Sequence, residues 1–358
     1  MGEAAIDYDL HGIVGVRLVG ADPAEASAVD RQLGGMRGAL RRAPDIVVRF
    51  VDRVEVAGPV RLLGAGEAGF GADAFLLLRG RRKARARVRI DVDRIGDPCE
   101  IVAERGLRGV PLLIAIVNVT ALARGVLPLH ASAFVVGSTG VLATGWSKGG
   151  KTEAMLAFMA RGARFVGDEW VYVTADGRVH GLPEPIRLWD WHLRQLPEVR
   201  ARIGSRERAR LRVLDAAAGL ARRRGADRAA ALVEGQLHAD APPARLFDPA
   251  AIALAGVADR VFLMRSWERP DIRVSPVDGT EVAARMAASL RYERAPLLQC
   301  YEQFRYAFPD RANPHIEAAP AREDALLHGI LGDRPAHAVD HPYPVRFGEL
   351  FDAMCPYC

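Results

Sequence analysis

The stretch Gly145-Trp146-Ser147-Lys148-Gly149-Gly150-Lys151-Thr152 restricts the fold of this chain more than any other. The apolar run 141–144 leads into it, and residues 151–161 follow with Met155, Phe158 and Met159 on one helical face before Gly162 stops the helix. Strand, glycine loop and helix in that order make a unit of α/β architecture. The spacing Gly-x-x-x-x-Gly-Lys-Thr also carries chemistry. Glycines let the backbone curl so that successive amides point inward, and the helix start adds unpaired N–H groups and its dipole. In such a loop Lys151 supplies a point charge for phosphate and the Thr152 hydroxyl can ligate Mg²⁺. An ordinary Gly-rich strand-to-helix turn is the alternative reading.

Lysine usage sharpens this. The chain carries a formal charge of +5, yet its only lysines are Lys83, Lys148 and Lys151. The Arg-for-Lys bias reads as coding composition rather than a selected basic surface. Two of the three lysines nevertheless fall inside the loop, where a compact ammonium has a use. The acidic start, Met1-Gly2-Glu3, has no apolar core of a signal peptide. The longest apolar run, 111–123, contains Asn118 and is too short for a bilayer, so it reads as a buried helix. Scattered cysteines point to the cytoplasm rather than to a disulfide framework.

At 358 residues two domains are expected: a small mixed α/β domain over 1–109 and a larger one over 110–358. Strands are expected at 46–51, 75–78 and 83–92, the last alternating apolar residues with Arg85, Arg87 and Arg89. That Arg row reads as a solvated face, with phosphate contact the alternative. Strands at 131–136 and 141–144 should form a hairpin through residues 137–140, followed by a strand at 164–167 and a hairpin over 170–181. Residues 193–236 read as Arg-rich helices, either a polar cover or a docking surface for an acidic peptide. Later strands are expected at 260–264 and 272–275, a helix at 281–292, and mixed structure over 296–358.

Phosphate chemistry needs carboxylates nearby to hold metal and orient a nucleophile. Asp168-Glu169 ends the short strand after the loop's helix, so in an α/β sheet it should sit beside the loop. His130 precedes the strand before the loop. Taken together, His130, the loop, Glu153, Arg161-Gly162 and Asp168-Glu169 resemble, without a gap, the catalytic core of the HPr kinase/phosphorylase family and its wider group of HPr-kinase-like P-loop kinases. Pro185-Ile186-Arg187-Leu188-Trp189 resembles a segment that follows this core in the wider group.

The resemblance implies an α/β fold with a mixed sheet, related to phosphoenolpyruvate carboxykinases. It implies ATP and Mg²⁺ as cofactors and transfer of the γ-phosphoryl group to a hydroxyl, Ser or Thr of a peptide or protein, with a small-molecule acceptor as the alternative. Lys151 and Thr152 would bind phosphate and metal, Asp168 would be the base, Glu169 would help hold the metal, and His130 would lie in the active site. Arg187 is a further candidate for substrate contact.

The sequence departs from the family in several places. Glu169 replaces a second Asp, Trp146 and Lys148 replace an acidic residue and a glycine, and the Arg-Gly-x-Gly signature of the bifunctional enzymes does not follow the acidic pair. A nucleotide sensor or ATPase without an acceptor therefore stands as the second class. No nucleic-acid module and no membrane span is expected, and a homo-oligomer is left open. Cys355-Pro-Tyr-Cys358 reads as a frayed tail, with a metal or redox pair as the alternative. His315, His328, His337 and His341 lack zinc-ligand spacing and read as scattered.

Overall fold

The computed structural model describes residues 5–64, 68–72, 75–79 and 86–358. It is mixed α/β, and its two largest sheets each combine parallel and antiparallel pairing. The hairpin β1 (Ala5–Leu10) and β2 (Val14–Val19) opens the first, followed by α1 (Pro23–Gln32). Asp22 starts α1 by accepting from the N–H groups of Ala24 and Glu25, while Glu25 accepts from the Asp22 N–H. Then come β3 (Ile46–Val51), β4 (Arg61–Leu63), β5 (Ala68–Phe70), β6 (Phe75–Arg79), β7 (Ala86–Ile90) and β8 (Cys99–Glu104), in spatial order β1-β2-β3-β8-β7-β6-β5-β4.

The strand expected at 83–92 is β7, shorter at its C-terminal end; residues 83–85 and residues 1–4 lie outside the described residues. Val88 and Ile90 are buried, and Arg89 reaches Glu100 at 3.5 Å, so this Arg is part of a charged strand face rather than a phosphate site. Against the sheet lies α2 (Leu113–Ala123), whose Ile116 and Val117 join Tyr8, Val48 and Ile101 in one apolar cluster. Its side chains exclude water from the sheet's inner face, about 1.5–3 kcal/mol for each fully buried large one. Leu297, Tyr301 and Phe304, from much later in the chain, complete the same cluster.

The second half holds β9 (Leu127–His130), β10 (Ser132–Val136), β11 (Thr139–Gly145), α3 (Lys151–Met159), β12 (Arg164–Gly167), β13 (Trp170–Val173), β14 (Arg178–Gly181) and β15 (Ile186–Trp189). Helices α4 (Asp190–Gln195), α5 (Pro197–Arg202), α6 (Ser205–Arg223) and α7 (Asp227–Glu234) form the Arg-rich stretch. Arg202 pairs with Asp248 at 2.8 Å, Arg210 with Glu207 at 2.5 Å, and Arg222 with Glu234, which fits the polar-cover reading. The chain continues through β16 (His238–Ala241), α8 (Pro243–Leu246), β17 (Ala255–Val257), β18 (Arg260–Ser266), β19 (Arg273–Val277), α9 (Gly279–Glu293), α10 (Ala295–Ala307), α11 (Pro314–Leu331), β20 (Ala336–His341) and α12 (Phe347–Met354). No described helix is long and apolar enough to cross a membrane.

The sheet order β12-β10-β11-β18-β20-β19 positions the site. β11 runs parallel to β18 and β18 to β20, whereas β10 is antiparallel to both β11 and β12. β12 therefore points the same way as β11. The loop after β11, the acidic pair after β12 and the start of β10 all meet at one edge. Stacking of Phe134 on Phe158, with ring centroids 4.9 Å apart, fixes α3 on this sheet.

The structure corrects three details. The hairpin turn before the loop is only Gly137-Ser138. His130 does not merely precede a strand; it ends β9, where it sits opposite Trp170 of β13. And residues 296–358 are ordered elements, including β20, an interior strand of the site's own sheet.

Candidate active site

The glycine loop is shaped by its backbone. Gly145 leaves β11 at φ 136°, where a Cβ would meet the Met264 carbonyl oxygen at 2.5 Å, and Gly150 opens α3 at φ 104°. Lys148 adopts φ 61°, an uncommon left-handed conformation for a non-glycine residue. No side chain caps α3, so its first-turn N–H groups face the loop. Trp146 and Lys148 are exposed and Ser147 is half-buried. Trp146 lies against the exposed ring of Tyr292, with centroids 4.9 Å apart.

Lys151 is buried, and its Nζ donates to the carbonyl oxygens of Trp146 at 2.8 Å and Gly145 at 3.3 Å. Burial lowers its pKa, while the carboxylates of Glu169, Asp168 and Glu293 act the other way. The ammonium thus sits inside the loop, tied to its carbonyls. Beneath the loop, His341 at the end of β20 places Nε2 2.9 Å from the Gly149 carbonyl oxygen and Nδ1 2.8 Å from that of Pro342. His341 is fully buried and supports the loop, which corrects its reading as one of the scattered histidines.

Asp168 is buried directly opposite. It accepts hydrogen bonds from the Thr152 hydroxyl, 3.1 Å from each carboxylate oxygen, and from the Ser132 hydroxyl. Burial pushes its pKa up to about 6, and the Glu169 charge adds to that; the two hydroxyls and Lys151 oppose it. Glu169 goes the other way. The His130 hydrogen bond holds its carboxyl below the usual range against the effect of burial. Their surroundings thus shift two adjacent carboxyls in opposite directions, Asp168 upward and Glu169 downward. Glu169 has φ 66°, so the pair sits on a strained turn of the kind that gathers at functional sites.

His130 is clamped between two carboxylates. Nε2 lies 3.0 Å from Glu169 Oε2, and Nδ1 lies 2.9 Å from Glu293 Oε1 in an ion-pair contact that is poorly aligned as a hydrogen bond. Burial alone would lower its pKa, but the two carboxylates outweigh it and the net shift is upward. A similar pair stiffens the start of α3: His192 Nδ1 accepts from the Trp189 N–H, so its Nε2 donates to the buried Glu153 at 3.1 Å. Arg187 does not reach the loop. It projects from β15, bonded to Asp240 at 3.0 Å, and with Glu169, Trp170 and Glu184 lines an open cleft of about 740 Å³. One wall of that cleft comes from the end of α1.

Sequence reasoning missed Ser132, Glu293 and Glu184 as members of this neighbourhood. Ser132 had a readable signal, since alternation from His130 puts both on one side of the chain. Glu293 and Glu184 had none, because only the tertiary fold brings them near. Cys355 and Cys358 are free, half-buried thiols away from the loop, and burial pushes the Cys358 thiol up to about 12. No described group of three or more His, Cys, Asp and Glu residues could hold a metal ion. Thr152, Asp168 and Glu169 supply too few ligands to enclose one but suit Mg²⁺, which keeps waters and shares ligands with phosphate. No family model and no curated protein matches this chain.

Proposed function

We propose that the chain is an ATP-dependent kinase of the HPr-kinase-like P-loop type, transferring the γ-phosphoryl group to a hydroxyl, most simply that of Ser or Thr on a peptide or protein. The observation that carries this reading is the contact of Thr152 with Asp168, which joins a phosphate loop to a buried carboxyl poised near neutrality. In this reading the loop amides, the α3 N-terminus and Lys151 hold the triphosphate. Thr152, with Asp168 or Glu169, holds Mg²⁺, whose contribution is to neutralise phosphate charge. Asp168 accepts the proton of the attacking hydroxyl, and a carboxyl with a pKa near the working pH is well matched to that task. Positioning and charge neutralisation supply the rest of the acceleration.

The cleft beside Glu169 is the natural approach for the acceptor. Glu169, next in the chain to Asp168, lines it together with Arg187, Glu184 and Trp170. Incubation of the protein with Mg²⁺, γ-labelled ATP and a Ser/Thr peptide library or whole-cell extract should label an acceptor. Release of free phosphate alone, with no labelled acceptor in either mixture, would instead favour an ATPase or sensor.

A further inference from the structure

Behind His130 lies a second cavity, of about 320 Å³, that the phosphoryl-transfer reading does not use. Its walls are largely apolar, with Leu113, Val119, Leu122 and Leu290 among them, and Glu293, Arg294 and Glu323 also line it. Arg294 is 7% exposed; its Nη2 donates to Glu323 at 2.5 Å, but its Nε and Nη1 are buried with no acceptor. Unmet donors on a buried guanidinium are costly, and they point to an acceptor that the protein itself does not provide. The cavity wall also includes Leu112, held at φ 60°.

We propose that this cavity binds a small apolar α-amino acid, its carboxylate on Arg294, its ammonium on Glu293 and its side chain among the leucines. The charges select that class. Arg294 keeps two donors, Nε and Nη1, without an acceptor, and Glu293 keeps Oε1 without a hydrogen-bond donor, so the cavity wall holds both unmet donors and an unmet acceptor. A bare carboxylate would bring an unmatched negative charge beside Glu293 and Glu323, and a bare amine an unmatched positive one beside Arg294. A zwitterion meets both groups and adds no net charge.

Glu293 links this cavity to the site already described. The carboxylate that would receive the ammonium is the one that flanks His130, and His130 in turn holds Glu169. Occupancy would draw Glu293 away from His130 and so alter the environment of the acidic pair. The binding proposal itself is independent of the kinase reading.

The test is calorimetric titration of the full-length protein with L-leucine, isocaproate (the same skeleton without the amine) and isoamylamine (without the carboxylate). L-leucine should bind and raise the unfolding temperature, and each analogue should bind at least about tenfold more weakly, because each loses a charge-assisted contact. Two variants locate the site. Ala115→Phe fills the cavity, and the double variant Arg294→Met with Glu323→Met removes the anchor without leaving a buried charge unpaired. Both should unfold cooperatively and lose L-leucine binding. Failure of L-leucine to bind the wild-type protein, equal binding of either analogue, or undiminished binding in the folded variants would overturn the proposal.

Discussion

The Thr152 hydroxyl lies 3.1 Å from both carboxylate oxygens of Asp168, bridging the first turn of α3 and the end of β12. The relationship follows from strand direction. β12 and β11 run the same way with β10 between them, so the loop leaving one and the acidic pair leaving the other are delivered to the same edge. Ser132, at the start of the intervening strand, completes the contact by donating to the same carboxyl.

Lys151→Ala should abolish tight triphosphate binding. Removing one partner of a buried charged contact costs about 2–5 kcal/mol, so the Kd of a fluorescent ATP analogue should rise by roughly 30-fold or more. The Nζ hydrogen bonds are to two loop carbonyls, and a circular-dichroism melt should show that the variant remains folded. Unchanged affinity in a titration would contradict the role given to the loop.

The pKa of Asp168 predicts a pH profile. Its carboxyl must lose a proton to act as a base, so kcat/KM should climb as pH rises through about 6. The same group makes folding less favourable over that interval, because its folded-state pKa lies above its ordinary 3.8 and the unfolded chain releases the proton first. A flat profile across this range would remove Asp168 from the role of base.

His130 carries the opposite sign. Its folded pKa is raised by Glu169 and Glu293, so its contribution to stability is fully present below the unfolded value of about 6.5 and fades as pH rises through the folded one. The difference in urea midpoint between wild-type protein and His130→Gln should therefore be larger near pH ~6 than near pH ~9. A difference that grew toward alkaline pH would show that the clamp is not an ion pair.

His341 and Gly150 should be coupled. A Cβ on Gly150 would lie 2.1 Å from His341 Nε2, and the residue's φ of 104° already disfavours any side chain. Gly150→Ala should cost about 1–3 kcal/mol from backbone strain and overpacking. Adding His341→Ala should recover part of that loss, although it gives up the bond to Gly149. Strictly additive effects in the double-mutant cycle would mean that the two do not meet.

The elements on either side of the loop were legible because local rules and tertiary demands agree there. Glycines mark the curled backbone, Met155 and Phe158 mark the buried face of α3, and residues 164–167 are an apolar strand closed by the acidic pair. The interval between Lys151 and Asp168 then placed both at one edge. What escaped was long-range. In 336–341 two histidines and an aspartate interrupt an apolar alternation, so an interior strand reads as polar. His341 matters only because β20 pairs with β18 beside the loop strand, and Glu293 only because α9 ends against β9. Neither pairing leaves a local trace.

The most direct test of phosphoryl transfer is intact-mass analysis of acceptors after incubation with Mg²⁺ and ATP, comparing wild-type protein with Asp168→Asn. The account predicts one added phosphate per acceptor site with the wild type and none with the variant. Transfer by the Asp168→Asn variant at the wild-type rate would contradict it.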